Sequence, residues 1–179
     1  VSAYVWTKAI ATGAFLVPLL GILVVEKLKL QTNFLETLGM FAVGVGIALF
    51  FLMLTTVFLV KDLDQPKRFA YVLLRPQWKS WLVRGGYALT AFGGLLTLLI
   101  VSFLAGWDFP KFIGIPLLVL TVAAAILTAV YTAFLFAQAK GRDFWQSPAL
   151  ALHMLIHSLL AGGAVFAILA IFNAPSGQT

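Results

Sequence analysis

The chain has 179 residues, of which 62% are hydrophobic and only 10% are charged, with a formal net charge of +6. Soluble domains usually carry about 25% charged residues, so this composition excludes an ordinary soluble protein. The chain has no cysteine, which excludes disulfides, thiolate metal sites and cysteine-held iron–sulfur clusters within it.

Continuous apolar blocks, each long enough to cross a bilayer, predict an all-α integral membrane protein rather than a barrel of short alternating strands. We predict one transmembrane domain over residues 1–179, formed by a bundle of five spans. The loop after the second span contains prolines, aromatic residues and basic residues, and we expect a short interfacial helix there, from about Pro66 to Leu74. The predicted spans are Ala3–Val25, Leu38–Val60, Val83–Ala105, Ile113–Ala137 and Ala149–Phe172.

Basic residues are concentrated on the membrane side that holds the N-terminus, here called side one. Eight Lys or Arg residues lie there, against three on the opposite face, side two, so the positive-inside rule predicts that side one is cytoplasmic. The charged loop 61–82 is open to three interpretations: a topology signal, an interfacial anchor, or a docking surface for a soluble partner. The basic residues of side one are Lys61, Lys67, Arg68, Arg75, Lys79, Arg84, Lys140 and Arg142.

A set of polar residues falls in the half of the membrane next to side one, and the other half has no comparable set. Ionisable groups are costly inside a bilayer, so such residues are candidates for function. Residues three or four apart share a helix face, as do the two histidines of the fifth span. The pattern predicts a polar-lined pocket that opens to side one. The set comprises Thr7, Lys8, Asp62, Asp64, Arg84, Tyr87, Thr128, Tyr131, Gln138, His153 and His157.

Such a pocket suits a lipid-soluble ligand with polar groups on a ring. A quinone is the natural candidate, because its carbonyls need hydrogen-bond donors and, on reduction, protons. The plainer alternatives are interhelical hydrogen bonds for the histidines, core packing for Tyr131, snorkelling for Lys8, and a clamp between Arg84 and Asp62 or Asp64. The two histidines point the same way and cannot sandwich a haem, although one of them could pair with a ligand from another chain.

Two long segments carry a family resemblance. The stretch "DLDQPKRF…LLRPQWKSWLVRGGYALTAFG", Asp62 to Gly93, and a second from Thr128 to Ala164 resemble the NrfD-like family of polysulfide reductase membrane subunits. The segment "WTKAIATGAFL" is similar to the small-residue first helix of that family. Family members have eight or more spans, so the five spans here would be part of a larger fold and the chain a piece of a longer protein.

The resemblance implies a quinone-interacting membrane subunit of a multisubunit respiratory oxidoreductase, multi-pass in the inner membrane of a prokaryotic cell and not catalytic alone. It implies a docked ferredoxin-like iron–sulfur subunit and a larger catalytic subunit, either a molybdopterin enzyme or a multihaem cytochrome. The expected cofactor is menaquinone or ubiquinone, with no metal or haem in this chain. Membrane lipids are expected partners and nucleic acid is not.

The resemblance places Tyr131 at the position of the family's quinone-site tyrosine, and Lys8 or Thr7 at that of a polar residue on the first helix. The family's first-helix histidine is not seen here, so His153 or His157 would substitute for it. The expected quinone-binding residues are Tyr131, Thr128, His157, His153, Lys8 and Thr7.

Protons would leave to side one through polar groups near the surface, and a redox partner would dock on the basic loop. The remaining functional hypotheses are an ion- or proton-conducting transporter subunit, which needs polar groups across both leaflets, and a purely structural membrane anchor. The expected proton-transfer residues are Asp62, Asp64, Arg84 and His153, and the expected docking residues are Lys67, Arg68, Arg75 and Lys79.

Overall fold

Five long helices make up the described part of the chain. A computed structural model describes residues 2–28, 34–62, 81–106, 110–137 and 149–173. Each helix contains an apolar stretch of more than 20 residues, long enough to cross the hydrocarbon core of a bilayer. The all-helical fold and the five predicted spans are therefore confirmed. The helices are α1 (Ser2–Leu28), α2 (Phe34–Asp62), α3 (Trp81–Leu104), α4 (Lys111–Ala137) and α5 (Ala149–Asn173).

Helix α1 lies at the centre of the bundle and packs against α2, α5 and α4. Helix α3 packs against α4 and α2, and α4 also contacts α5. The core beneath α1 is aromatic: Phe15 is fully buried, and its ring centroid lies 5.9 Å from that of Phe41 and 5.8 Å from that of Phe92. Large apolar side chains such as Phe50 and Leu104 cover the outer surface, as expected for helices that face lipid tails.

Glycines allow α1 and α5 to cross at backbone contact. A Cβ atom built on Gly162 would overlap the main chain of Gly13, and one on Gly13 would overlap the carbonyl oxygen of Ser158. A similar approach brings α2 onto α1, because a Cβ on Gly44 would lie 2.6 Å from the carbonyl oxygen of Ala14. In a bilayer, where lipid tails are as apolar as leucine, such close packing replaces the hydrophobic effect as the main cause of helix association.

Several predictions concern residues outside the described ranges. The interfacial helix at 66–74 and the polar residues Asp64 and Gln138 are among them. The predicted larger fold of eight or more spans stays a prediction. The four expected docking residues, Lys67, Arg68, Arg75 and Lys79, also lie outside the described residues.

The crossing of α1 and α5 predicts that a methyl group destabilises the fold at one of two adjacent glycines and has little effect at the other. Gly162→Ala should lower the free energy of unfolding by about 1–3 kcal/mol, because the new methyl group forces two main chains apart. Gly163→Ala is the control, since nothing lies within 4 Å of its Cβ position, and it should stay within about 0.5 kcal/mol of the wild type. Denaturant titration in mixed micelles measures both, and equal stabilities would contradict the crossing.

Candidate functional site

A lysine is buried inside the bundle, two turns from the start of α1. Lys8 is 1% exposed, and its ammonium Nζ donates to the carbonyl oxygen of Ala129 at 3.2 Å and to Oγ1 of Thr132 at 2.7 Å. The same nitrogen lies 4.6 Å from the centroid of the Tyr131 ring. All three contacts come from one turn of α4, so Lys8 joins the central helix to α4 by polar interactions.

The ammonium has no carboxylate partner among the side chains that the structure describes. The chain has six acidic residues, and the one whose side chain is placed is Glu26, at the far end of α1. With 1.5 Å of rise per residue, Glu26 lies about 27 Å along the helix from Lys8. An ammonium is costly to bury in a bilayer, and the described groups that contact this one are two neutral oxygens and an aromatic ring.

Two buried hydroxyl groups on the turns of α4 that Lys8 reaches have no hydrogen-bond partner among the described residues. They are Oγ1 of Thr128, a fully buried residue, and the phenolic oxygen of Tyr131, which is 4% exposed. Buried polar atoms are nearly always paired, and each unpaired one costs about 1–3 kcal/mol. Two such atoms three residues apart on one face of α4, beside a buried ammonium, indicate a site built to be completed by a ligand.

Thr128 differs in this from most of the other described threonines of the bundle. In a transmembrane helix a threonine hydroxyl commonly bonds the main-chain carbonyl three or four residues earlier, which satisfies it within its own helix. Thr121, two turns before Thr128 on α4 and equally buried, donates to the carbonyl oxygen of Leu117 at 2.7 Å. The same type of bond is made by Thr7, Thr12, Thr55, Thr56, Thr90 and Thr97.

Hydroxyl groups of α1 and α2 extend the polar cluster away from α4. The hydroxyl of Thr55, fully buried on α2, lies within 2.9 Å of Oγ1 of Thr7. Thr7 is adjacent to Lys8 in sequence, so the cluster reaches from α2 through α1 to α4. Thr55 and Thr132 are members of it that the sequence analysis missed. The i, i+4 spacing of Thr132 from Thr128 was the available signal for one of them.

A cavity of about 300 Å³ lies between α3 and α4, and Tyr131 forms part of its wall. The ring of Tyr131 packs directly on α3, since a Cβ atom on Gly85 would fall within that ring. At the side-one end of the cavity, Trp81 stacks on Phe134 with ring centroids 4.5 Å apart. The lining residues are Trp81, Arg84, Ala88, Leu127, Val130, Tyr131 and Phe134.

Arg84 is exposed, and its guanidinium carbon lies 4.8 Å from the centroid of the Trp81 ring. It therefore places a cation at the side-one end of the cavity. Asp62, predicted to act with it in proton transfer, is the last residue of α2. Thr55, one member of the polar cluster, lies about 10 Å further into the membrane along the same helix.

The two histidines lie apart from the lysine. His157 makes an edge-to-face contact with Trp6, with ring centroids 5.4 Å apart, and His153 is exposed with its ring centroid 6.5 Å from that of His157. Trp6 and Lys8 are two residues apart on α1, which separates them by about 200° around the helix axis. His157 thus packs against the face of α1 that points away from Lys8. The structure brings together Thr7, Lys8, Thr128 and Tyr131 from the predicted set.

Within the described ranges, no group of three or more His, Cys, Asp or Glu side chains lies close enough to hold a metal ion. The buried cluster instead offers hydroxyl and ammonium donors, which suit the oxygens of an organic ligand.

The family model described as "Polysulphide reductase, NrfD" matches residues 2–177, nearly the whole chain. The chain belongs to this family. The resemblance inferred from the sequence is therefore confirmed, and membership of the NrfD family indicates a membrane subunit of a respiratory oxidoreductase that associates with other subunits. Five helices able to span a bilayer agree with a multi-pass NrfD-family protein. No curated protein and no solved structure matches the chain.

The contact between Gly85 and Tyr131 predicts that this NrfD-family chain is sensitive to a single methyl group on α3. Gly85→Ala should lower the free energy of unfolding by about 1–3 kcal/mol, because the methyl group displaces the Tyr131 ring from its packed position. Gly86→Ala, with nothing within 4 Å of its Cβ position, is the matched control and should behave like the wild type. Thermal unfolding in detergent compares them, and a Gly85→Ala variant as stable as Gly86→Ala would contradict the packing.

Proposed function

We propose that the chain is the quinone-interacting membrane subunit of a respiratory oxidoreductase complex, and that the quinone ring binds at Lys8, Thr128 and Tyr131. The observation that carries the proposal is the pair of buried hydroxyls on α4, of Thr128 and Tyr131, that have no partner among the described residues; Tyr131 is also part of the wall of a cavity open to the bundle surface. Membership of the NrfD family supports the same assignment at the level of the whole protein.

The residues present fit a quinone ring. Its two oxygens accept hydrogen bonds when oxidised and can donate when reduced, while threonine and tyrosine hydroxyls can do either. The orphaned atoms, Oγ1 of Thr128 and the phenolic oxygen of Tyr131, would each gain a partner. The cavity beside Tyr131 has the volume of a small ligand site, and its wall is mostly apolar, which suits a hydrocarbon tail.

The chain's own residues would orient the ring, exclude water from it and exchange its protons. A bound quinone supplies the redox chemistry, accepting or releasing two electrons and two protons. The phenol of Tyr131 would orient the quinone ring from a fixed position, because Gly85 lets the phenol pack on the backbone of α3. Burial of Lys8 and Thr128 keeps the polar end of the site dry, so its electrostatic interactions are stronger than in water.

Protons and electrons would leave on side one. Arg84 lines the mouth of the cavity, and together with Asp62, Asp64 and His153 it forms the proposed route for protons to that surface. A ferredoxin-like iron–sulfur subunit would dock on the basic loop that holds Lys67, Arg68, Arg75 and Lys79, and would pass electrons to or from a molybdopterin or multihaem catalytic subunit. The quinone would be menaquinone or ubiquinone, in the inner membrane of a prokaryotic cell.

Loss of one unpartnered hydroxyl should weaken quinone binding without weakening the fold. We expect Tyr131→Phe and Thr128→Val each to raise the Kd for a short-chain naphthoquinone by about 3- to 10-fold, the effect of one neutral hydrogen bond. Quenching of tryptophan fluorescence can follow the titration in a variant that keeps Trp81, which stacks beside the cavity, and has Phe at the other four tryptophans. The free energy of unfolding without ligand should not fall, since neither hydroxyl has a partner to lose.

Thr121→Val is the matched control for Thr128→Val. Both threonines are fully buried on α4, but the hydroxyl of Thr121 already donates to the carbonyl oxygen of Leu117. The control should therefore bind the naphthoquinone as tightly as the wild type. Unchanged affinity in both Tyr131→Phe and Thr128→Val would rule out the proposed site.

A further inference from the structure

A neutral quinone would use the hydrogen-bond donors of Lys8 but not its positive charge. A neutral carbonyl needs one hydrogen-bond donor, and the hydroxyls of Thr128 and Tyr131 already offer that. A threonine or an asparagine in place of Lys8 would supply another donor at a lower cost of burial. The positive charge of Lys8 is therefore the property that a neutral donor at this position would not supply.

We propose that Lys8 makes the site selective for a ligand ring that carries a deprotonated hydroxyl group. This inference rests on the proposed function and assigns the ligand a negative charge at its oxygen, held as an ion pair with the Lys8 ammonium. Selectivity for an oxyanion follows from three features of the site: the contacts of the ammonium, the absence of a described carboxylate, and the burial of the cluster.

The contacts of Lys8 leave its charge unbalanced. An ammonium group has three N–H donors, and its two hydrogen bonds run to the neutral oxygens of Ala129 and Thr132. The remaining contact is with the face of the Tyr131 ring, which attracts a cation less strongly than a carboxylate or another oxyanion does. An anionic oxygen that replaced or joined this ring contact would be the first full counter-charge among the side chains described.

No described carboxylate competes for that role. Glu26 is the acidic residue whose side chain the structure places, and it lies near side two at the other end of α1. Thr132 and Tyr131, which contact Lys8, and Thr128, one turn before Thr132 on the same helix, are neutral residues with hydroxyl groups. A ligand oxyanion would therefore meet a cation and hydroxyl donors with no carboxylate of this described cluster to repel it.

Burial strengthens the ion pair, so the site discriminates between a charged ligand and a neutral one. Charges a few ångströms apart interact several times more strongly in a protein interior than in water. Lys8, Thr128 and Thr132 are each at most 1% exposed. The bound pair is the same whichever partner carries the proton beforehand. An ionised ligand can meet the ammonium, or a neutral ligand hydroxyl can give its proton to the neutral amine of Lys8.

Two ligands of nearly equal shape can test this charge preference. One is a 2-hydroxy-3-alkyl-1,4-naphthoquinone, whose hydroxyl is ionised at neutral pH, and the other is the 2-methyl-3-alkyl compound with the same alkyl chain. Each is titrated at equilibrium into the full chain in phosphatidylcholine nanodiscs. Salt of about 0.15 M screens the general attraction of anions to a chain of formal charge +6.

We expect the wild type to bind the hydroxy compound at least about tenfold more tightly than the methyl compound, as for a charge-assisted hydrogen bond. Lys8→Met keeps most of the length of the side chain and removes its charge, so the tenfold preference should disappear even if both compounds bind more weakly than to the wild type. Lys27→Met, an exposed lysine of the same helix near side two, removes the same net charge and should keep the preference.

The outcomes separate this inference from the proposed function. Equal affinities in the wild type, or a preference that persists in Lys8→Met, would overturn the role of Lys8 and leave the quinone site standing. Failure of the wild type to bind either compound would overturn both. If Lys8→Met does not fold, the comparison of the wild type with Lys27→Met decides: a tenfold preference in both supports the inference, and its absence from the wild type contradicts it.

Discussion

The bundle is organised around the need to bury one ammonium group in a medium without water. Lys8 satisfies that need with a carbonyl, a hydroxyl and an aromatic face, and all of them belong to a single turn of α4. This requirement fixes the rotation of α1 and α4 about their own axes, since a turn of either helix would break the contacts. The positions of Thr128 and Tyr131 follow, because they share that face of α4.

Glycines make this arrangement possible without large side chains between the helices. Gly13 and Gly162 let α5 lie against the backbone of α1, and Gly85 lets the Tyr131 ring lie against α3. These glycines therefore set how closely α5 approaches α1 and how closely the Tyr131 ring approaches α3.

Hydropathy was sufficient to predict five helices long and apolar enough to span a membrane, and the position of each polar residue along its helix gave only its expected depth. Depth does not determine where a side chain points around its helix, which depends on packing. That is why Lys8 and Tyr131 meet as expected while His157 packs on Trp6 instead. Helix α1 also extends to Leu28, past the predicted end at Val25, because charged residues can continue a helix into the interface.

The connection between α3 and α4 has a mechanical consequence for the cavity. Helix α3 ends at Leu104 and is followed by a turn at Gly106, which has a φ of 64° that glycine adopts without strain. Helix α4 begins at Lys111, so the two walls of the cavity are consecutive helices of the chain. Trp81 lies about 36 Å along α3 from that connection. For two straight helices of that length, a relative tilt of about 3° changes the separation of their far ends by about 2 Å, which is comparable to half the thickness of an aromatic ring.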